Sequence, residues 1–225
     1  MSEPVPVIRA RMLARPDGIP IMRGWLHGFM TPLALVGVWV LWQSVSGASA
    51  RVSVAVFGVS MVALYSTSAL YHVPRRWSSR ARVILSRCDG AMIQLFIAGT
   101  FTPIAFHALS GSWRVWSLVV AWAVALVGAT IAASPIQPPR WLGTLGYVAV
   151  GWLLIVPFTK VINALPWEGS GLIALGGILY TAGAVVYGYR RPNPFPAWFG
   201  YHEVFHLFVV AGSTAHYLAI WRYVV

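Results

Sequence analysis

The sequence predicts an all-α integral membrane protein of seven transmembrane helices, with its N-terminus cytoplasmic and its C-terminus extracytoplasmic. Three observations lead there. Of 225 residues, 58% are apolar and 9% charged, against about 25% charged in a soluble domain; the mean hydropathy is +0.71. The apolar residues gather in seven runs of about 20, the length that crosses roughly 30 Å of hydrocarbon as a helix. The basic residues fall in the gaps between the runs, unevenly on the two sides.

Residues 1–23 form a basic arm with Arg9, Arg11, Arg15 and Arg23. Pro4, Pro6 and Pro16 leave it no apolar core, so no cleavable targeting segment is expected. Residues 24–225 form the predicted seven-helix domain. Its runs are Gly24–Gln43, Val52–His72, Val83–Ala108, Trp113–Ala133, Trp141–Ile162, Gly169–Tyr189 and Trp198–Trp221. Helices are the expected form because backbone groups facing lipid must be satisfied within the segment. Each run stops at turn chemistry: Ser46-Gly47, Pro74, Gly111-Ser112, Pro135 through Pro139, Pro166, and Arg191-Pro192-Asn193-Pro194. Tryptophans near most ends suit the headgroup level.

Orientation follows from counting charges. Arg9, Arg11, Arg15, Arg23, Arg75, Arg76, Arg80, Arg82, Arg140, Arg190 and Arg191 lie on the side of the N-terminus; Arg51, Arg114, Lys160 and Arg222 lie opposite. The excess places the N-terminus in the cytoplasm of a cell whose inner, plasma membrane holds the chain. Arg87 lies deeper in the third run and is not counted. The net charge of +11 is spread over loops rather than one face, which argues for anionic lipid headgroups and against nucleic acid. A single cysteine, Cys88, excludes an intrachain disulfide.

This topology brings distant polar residues to one depth. His72 ends the second run, with Ser68 one turn earlier on the same face. Asp89 lies about 9 Å into the third run by helical rise. His202 and His206, four residues apart at the start of the seventh run, share a face about 6 Å apart at their Cβ atoms. Ionisable groups inside a membrane are costly and mark functional sites. Three imidazoles suit zinc with a fourth position open to water, and Asp89 is either a fourth ligand or a partner to that water or to a ligand imidazole.

Structural readings compete at each position. His72 can be an interfacial histidine, Ser68 can bond its own backbone, Asp89 can pair with Arg87 or Arg82, and the histidine pair can be a packing contact. His202-Glu203-Val204-Phe205-His206 also fits the literal metalloprotease helix, in which the glutamate is the general base. Glu203 sits about 100° around the helix from His202, and Asp89 is favoured for handling the water proton. His27, early in the first run, can line the same cavity. His216 lies about 15 Å beyond His206, too deep for the same ion.

Ser68-Ala69-Leu70-Tyr71-His72, Asp89, and Phe199-Gly200-Tyr201-His202-Glu203-Val204-Phe205-His206 resemble the motifs of the bacterial haemolysin III family, within the progestin and adipoQ receptor superfamily. The likeness covers about Trp25 to Trp221. His27-Gly28 is similar to the family's first span, although Arg23-Gly24-Trp25-Leu26 departs from its acidic and Asn/Thr-rich lead-in. The resemblance implies seven helices, a zinc ion near the cytoplasmic side on His72, His202 and His206, and conserved roles for Ser68 and Asp89. Receptor members resemble lipid amide hydrolases such as ceramidases, and bacterial members are named for haemolysis. Three functions follow as expectations: a zinc-dependent hydrolase of lipid amides or esters acting on a ceramide-like or phospholipid substrate, with Asp89 and Ser68 catalytic; a membrane-perturbing, cytolytic haemolysin or channel with structural zinc; and a lipid-responsive receptor or regulator.

Overall fold

A computed structural model describes residues 18–74, 77–136, 139–153 and 156–225. Helices are α1 (Trp25–Ser44), α2 (Ala48–His72), α3 (Ser79–Ala108), α4 (Gly111–Ala133), α5 (Arg140–Leu153), α6 (Phe158–Ala164), α7 (Trp167–Tyr189) and α8 (Tyr201–Ala219), the last continued by a π-helical turn, Ile220–Val224. The protein is all-α, and among the described residues six helical segments are long and apolar enough to cross a membrane: α1, α2, α3, α4, α7 and Tyr201–Val224.

The fifth predicted run does not form one helix among the described residues. α5 has 14 residues and α6 has 7, about 21 Å and 11 Å by helical rise, each short of a hydrocarbon core. Pro157 caps α6. Proline disfavours helical conformation in the residue before it, and Leu154 and Ile155 lie outside the described residues. Pro32 and Pro103, in contrast, sit inside α1 and α3 without ending them. Other ends moved by a few residues for local reasons. α3 begins at Ser79 because the Ser78 hydroxyl accepts the Ala81 N–H at 3.2 Å. Of the charges that set orientation, Arg9, Arg11, Arg15, Arg75 and Arg76 lie outside the described residues.

Polarity is arranged inside out relative to a soluble bundle. Leu33, Val36, Trp39, Val59, Trp116, Val127 and Ile178 face outward, while Ser53, Ser60, Ser68, Gln94, Thr100 and four histidines are buried. Lipid is as apolar as a core, so packing and interhelical hydrogen bonds hold such helices together. Close approach is one device: a Cβ on Gly58 of α2 would stand 2.5 Å from a Val38 methyl of α1. Buried hydroxyls are the other. Trp122 of α4 donates to Thr102 of α3 at 3.1 Å, Tyr217 of α8 donates to the Gly37 carbonyl of α1 at 3.0 Å, and Tyr65 of α2 bonds Ser213 of α8. Sequential neighbours α1 to α4 pack in order, α7 packs on α8, and α8 returns to α1. That return brings the first turn of α8 against the last turn of α2.

Candidate metal centre

The loop before α8 sets its register. The Ile21 and Met22 N–H groups donate to the Ala197 and Trp198 carbonyls at 3.0 and 3.1 Å, and the Tyr201 N–H donates to Asn193 at 2.9 Å. The segment before α1 is thereby laid across the start of α8. Its Arg23 pairs with Glu203, which is 1% exposed and whose other oxygen accepts the Gly200 N–H at 2.8 Å. A carboxylate at the first turn of a helix satisfies a backbone donor that lacks an intrahelical partner. Both oxygens of Glu203 are therefore engaged in holding the helix start. The likeness to the protease helix stops at its two histidines.

Gly24 carries the second constraint. Its φ is +83°, and a Cβ there would stand 2.5 Å from the Cβ of His72. Only glycine admits both the left-handed backbone and that approach, so the turn into α1 rests directly on the end of α2.

The three predicted imidazoles converge. One ring nitrogen from each of His72, His202 and His206 lies within 4.8 Å of the others. The Nε2 atoms of His72 and His202 are 3.2 Å apart. Tetrahedral zinc with Zn–N bonds of 2.0–2.1 Å separates two nitrogens by about 3.4 Å, so this donor set and spacing fit a metal ion, and the cluster can coordinate one. Asp89 Oδ2 lies 3.5 Å from His72 Nε2, which puts the carboxylate beside the cluster rather than on Arg87 or Arg82. Ser68, 1% exposed, lines the same cavity one turn before His72.

Two residues are placed more closely than the sequence resolves. His27 of α1 stacks on His206 with ring centroids 3.9 Å apart and planes 7° apart, and neither of its ring nitrogens has a hydrogen-bond partner. The packing of α1 on α8 decides this, and no spacing within α1 announces it. His216 lies deeper, stacked on Tyr180 at 5.4 Å and apart from the cluster.

The cluster heads a cavity of about 1060 Å³ whose deeper walls include Ile104, Val161, Ile173 and Val209. The cavity thus joins a potential metal-binding cluster to largely apolar walls, as suits a lipid-related membrane protein.

Comparison with known proteins agrees. A family model described as "Haemolysin-III related" matches residues 19–217. The "Hemolysin-3 homolog" of Bacillus subtilis (strain 168) is 34% identical over 174 residues, covering 77% of this chain and 78% of that protein. "Hemolysin-3" of Bacillus cereus is 33% identical over 177 residues, covering 79% and 77%. A rice protein, "Heptahelical transmembrane protein ADIPOR2", is 27% identical over 188 residues, covering 74% and 82%. With its matched motifs gathered at one site and the family model spanning most of its length, the chain belongs to the haemolysin-III family, within the progestin and adipoQ receptor superfamily.

Proposed function

We propose that the protein is a zinc-dependent hydrolase of lipid amide or ester bonds, acting on a ceramide-like or phospholipid substrate in the plasma membrane. The observation that carries this reading is the convergence of His72, His202 and His206, with Asp89 3.5 Å from His72, at the polar head of an apolar cavity. His72, His202 and His206 hold the ion. Zinc bound there supplies Lewis acidity toward a carbonyl oxygen and an attacking water.

The chain's own groups do the rest. Asp89, whose side chain is 21% exposed, accepts the proton of the water as its oxygen adds to the carbonyl carbon. It then delivers that proton to the leaving amine nitrogen or alcohol oxygen as the C–N or C–O bond breaks. Ser68 donates a hydrogen bond to the negative charge on the carbonyl oxygen. The apolar walls hold the acyl chain and keep bulk water out.

The seven-crossing topology belongs to the same reading. α5 and α6 together have the length of one crossing, and the rice relative is named heptahelical. Seven crossings put the cluster on the cytoplasmic side by the charge bias of the loops.

Purified protein incubated with a panel of ceramides and phospholipids should release fatty acid, with chelation abolishing release. Asp89→Asn should slow it by about 10²-fold or more, and His202→Ala should remove it. No release, or release indifferent to chelator and to both substitutions, would sink the reading. The names of the Bacillus relatives favour a second one, membrane lysis with a metal that only braces the helices. Lysis of red cells at the wild-type rate by Asp89→Asn, with metal still bound, would favour it.

A further inference from the structure

Arg87 is the cation that the site as described leaves unused. It lies eight residues into α3, about 12 Å along the axis from Ser79, and lines the cavity that holds the histidine cluster. Its Nε is buried without a hydrogen-bond partner. The residue is half-buried and pairs with no carboxylate among the described residues, and a guanidinium facing a cavity in a membrane protein ordinarily meets a counter-charge there.

The chain has five acidic residues, and the three described ones cannot serve. Glu203 is held by Arg23 and the Gly200 N–H. Asp89 is turned to His72. Glu168 stands in the first turn of α7, at the end of that helix opposite Tyr187, whose ring packs on His202. Residues two apart on a helix point about 200° apart, so Arg87 and Asp89 flank opposite edges of the strip of α3 that faces the cavity. Gln94, one heptad beyond Arg87 and on the same edge, packs against Gly128 of α4, which locates the Arg87 edge on the side of α4. A second donor stands between the two edges: the Tyr147 hydroxyl of α5 lies 3.4 Å from where a Cβ on Gly90 would be, and Tyr147 lines the same cavity.

We propose that Arg87, assisted by the Tyr147 hydroxyl, binds the oxyanion of a lipid headgroup, so that the preferred ligand of the cavity is an amphiphile bearing a phosphate or carboxylate. Guanidinium matches such a group through paired N–H donors. The headgroup then sits on the α4 side of the strip while the carbonyl lies toward the histidines across it. The inference rests on reading the cavity as a lipid site, but it concerns binding and not turnover.

Equilibrium binding of lysophosphatidate and of monoacylglycerol with the same acyl chain, to the full-length protein in neutral detergent, tests it. Wild type should bind the phosphate lipid about tenfold or more tighter, the range of a hydrogen bond to a charged group. Arg87→Gln should bring the two lipids within about twofold while leaving monoacylglycerol binding unchanged, which also reports that the variant is folded. Arg87→Lys should keep part of the preference, and Arg80→Gln, on the exposed start of α3, should keep all of it. In His202→Ala the preference should persist. A preference lost in His202→Ala but kept in Arg87→Gln assigns the anion to the metal and overturns the proposal, as does an equal loss in Arg80→Gln. Inorganic phosphate displacing the lipid at equal concentration would assign the site to the free ion and overturn the lipid headgroup. An Arg87-dependent preference in a protein without hydrolytic turnover would sink the hydrolase reading and leave this one standing.

Discussion

Single side chains around the cluster have separable duties, and substitution can tell them apart. Glu203 is a clamp. Glu203→Gln keeps an oxygen for the Gly200 N–H but leaves Arg23 without its partner, and stability should fall by roughly 3 kcal/mol with metal content unchanged; thermal denaturation with elemental analysis reads both. A protease-type general base would give the reverse, a stable protein with lost turnover. His27 is stacked on His206 and braces its ring. His27→Ala should weaken metal affinity by about tenfold in competition with a chelator, and His27→Phe, which keeps a ring in place, should recover most of it. The cluster itself was legible because two kinds of signal agreed: His202 and His206 are one turn apart, and the predicted spans bring His72, 130 residues earlier, to the same depth. His27 and Glu203 were legible only as candidates, since their partners, His206 on α8 and Arg23 before α1, are 179 and 180 residues away and no periodicity encodes such a stack or ion pair.

Helices and their ends obey rules that the sequence states unequally. The six long spans follow from apolar length alone. The division of the fifth run at Pro157 was written in the sequence and is readable through the restriction proline places on its predecessor. The same rule applied to Pro32 or Pro103 would have broken two helices that continue, as prolines in membrane helices are tolerated more readily than in water. Gly24 joins element geometry to the site. Gly24→Ala forces both an unfavourable φ and a collision with His72, and should cost about 1–3 kcal/mol while lowering metal affinity. Gly18→Ala is the matched control. Its φ is also positive, at +66°, but nothing lies within 4 Å of the added carbon, so it should strain the chain and leave metal binding intact.

Across the whole molecule, the two ends of the chain are expected on opposite faces of the membrane. Cysteines introduced separately at Ser2 and Val225, in a Cys88→Ser background, should react with an impermeant maleimide added outside intact cells only at Val225. Labelling of both ends from one side would require an even number of crossings. The membrane class was readable from composition, because lipid sorts residues by solubility before packing matters. The cavity was not readable, since its walls come from helices brought together only by tertiary packing.

The Arg23 to Glu203 clamp has a consequence for how the protein is made. Its two members are 180 residues apart, so at 5–20 residues per second the first waits roughly 10 to 40 s for the second to be synthesised. α8, made after the other helices described, supplies two of the three imidazoles. Any metal that the cluster coordinates is thus captured only once α8 has been inserted and docked against α2. A chain ending at Tyr189 should enter the membrane and bind no metal.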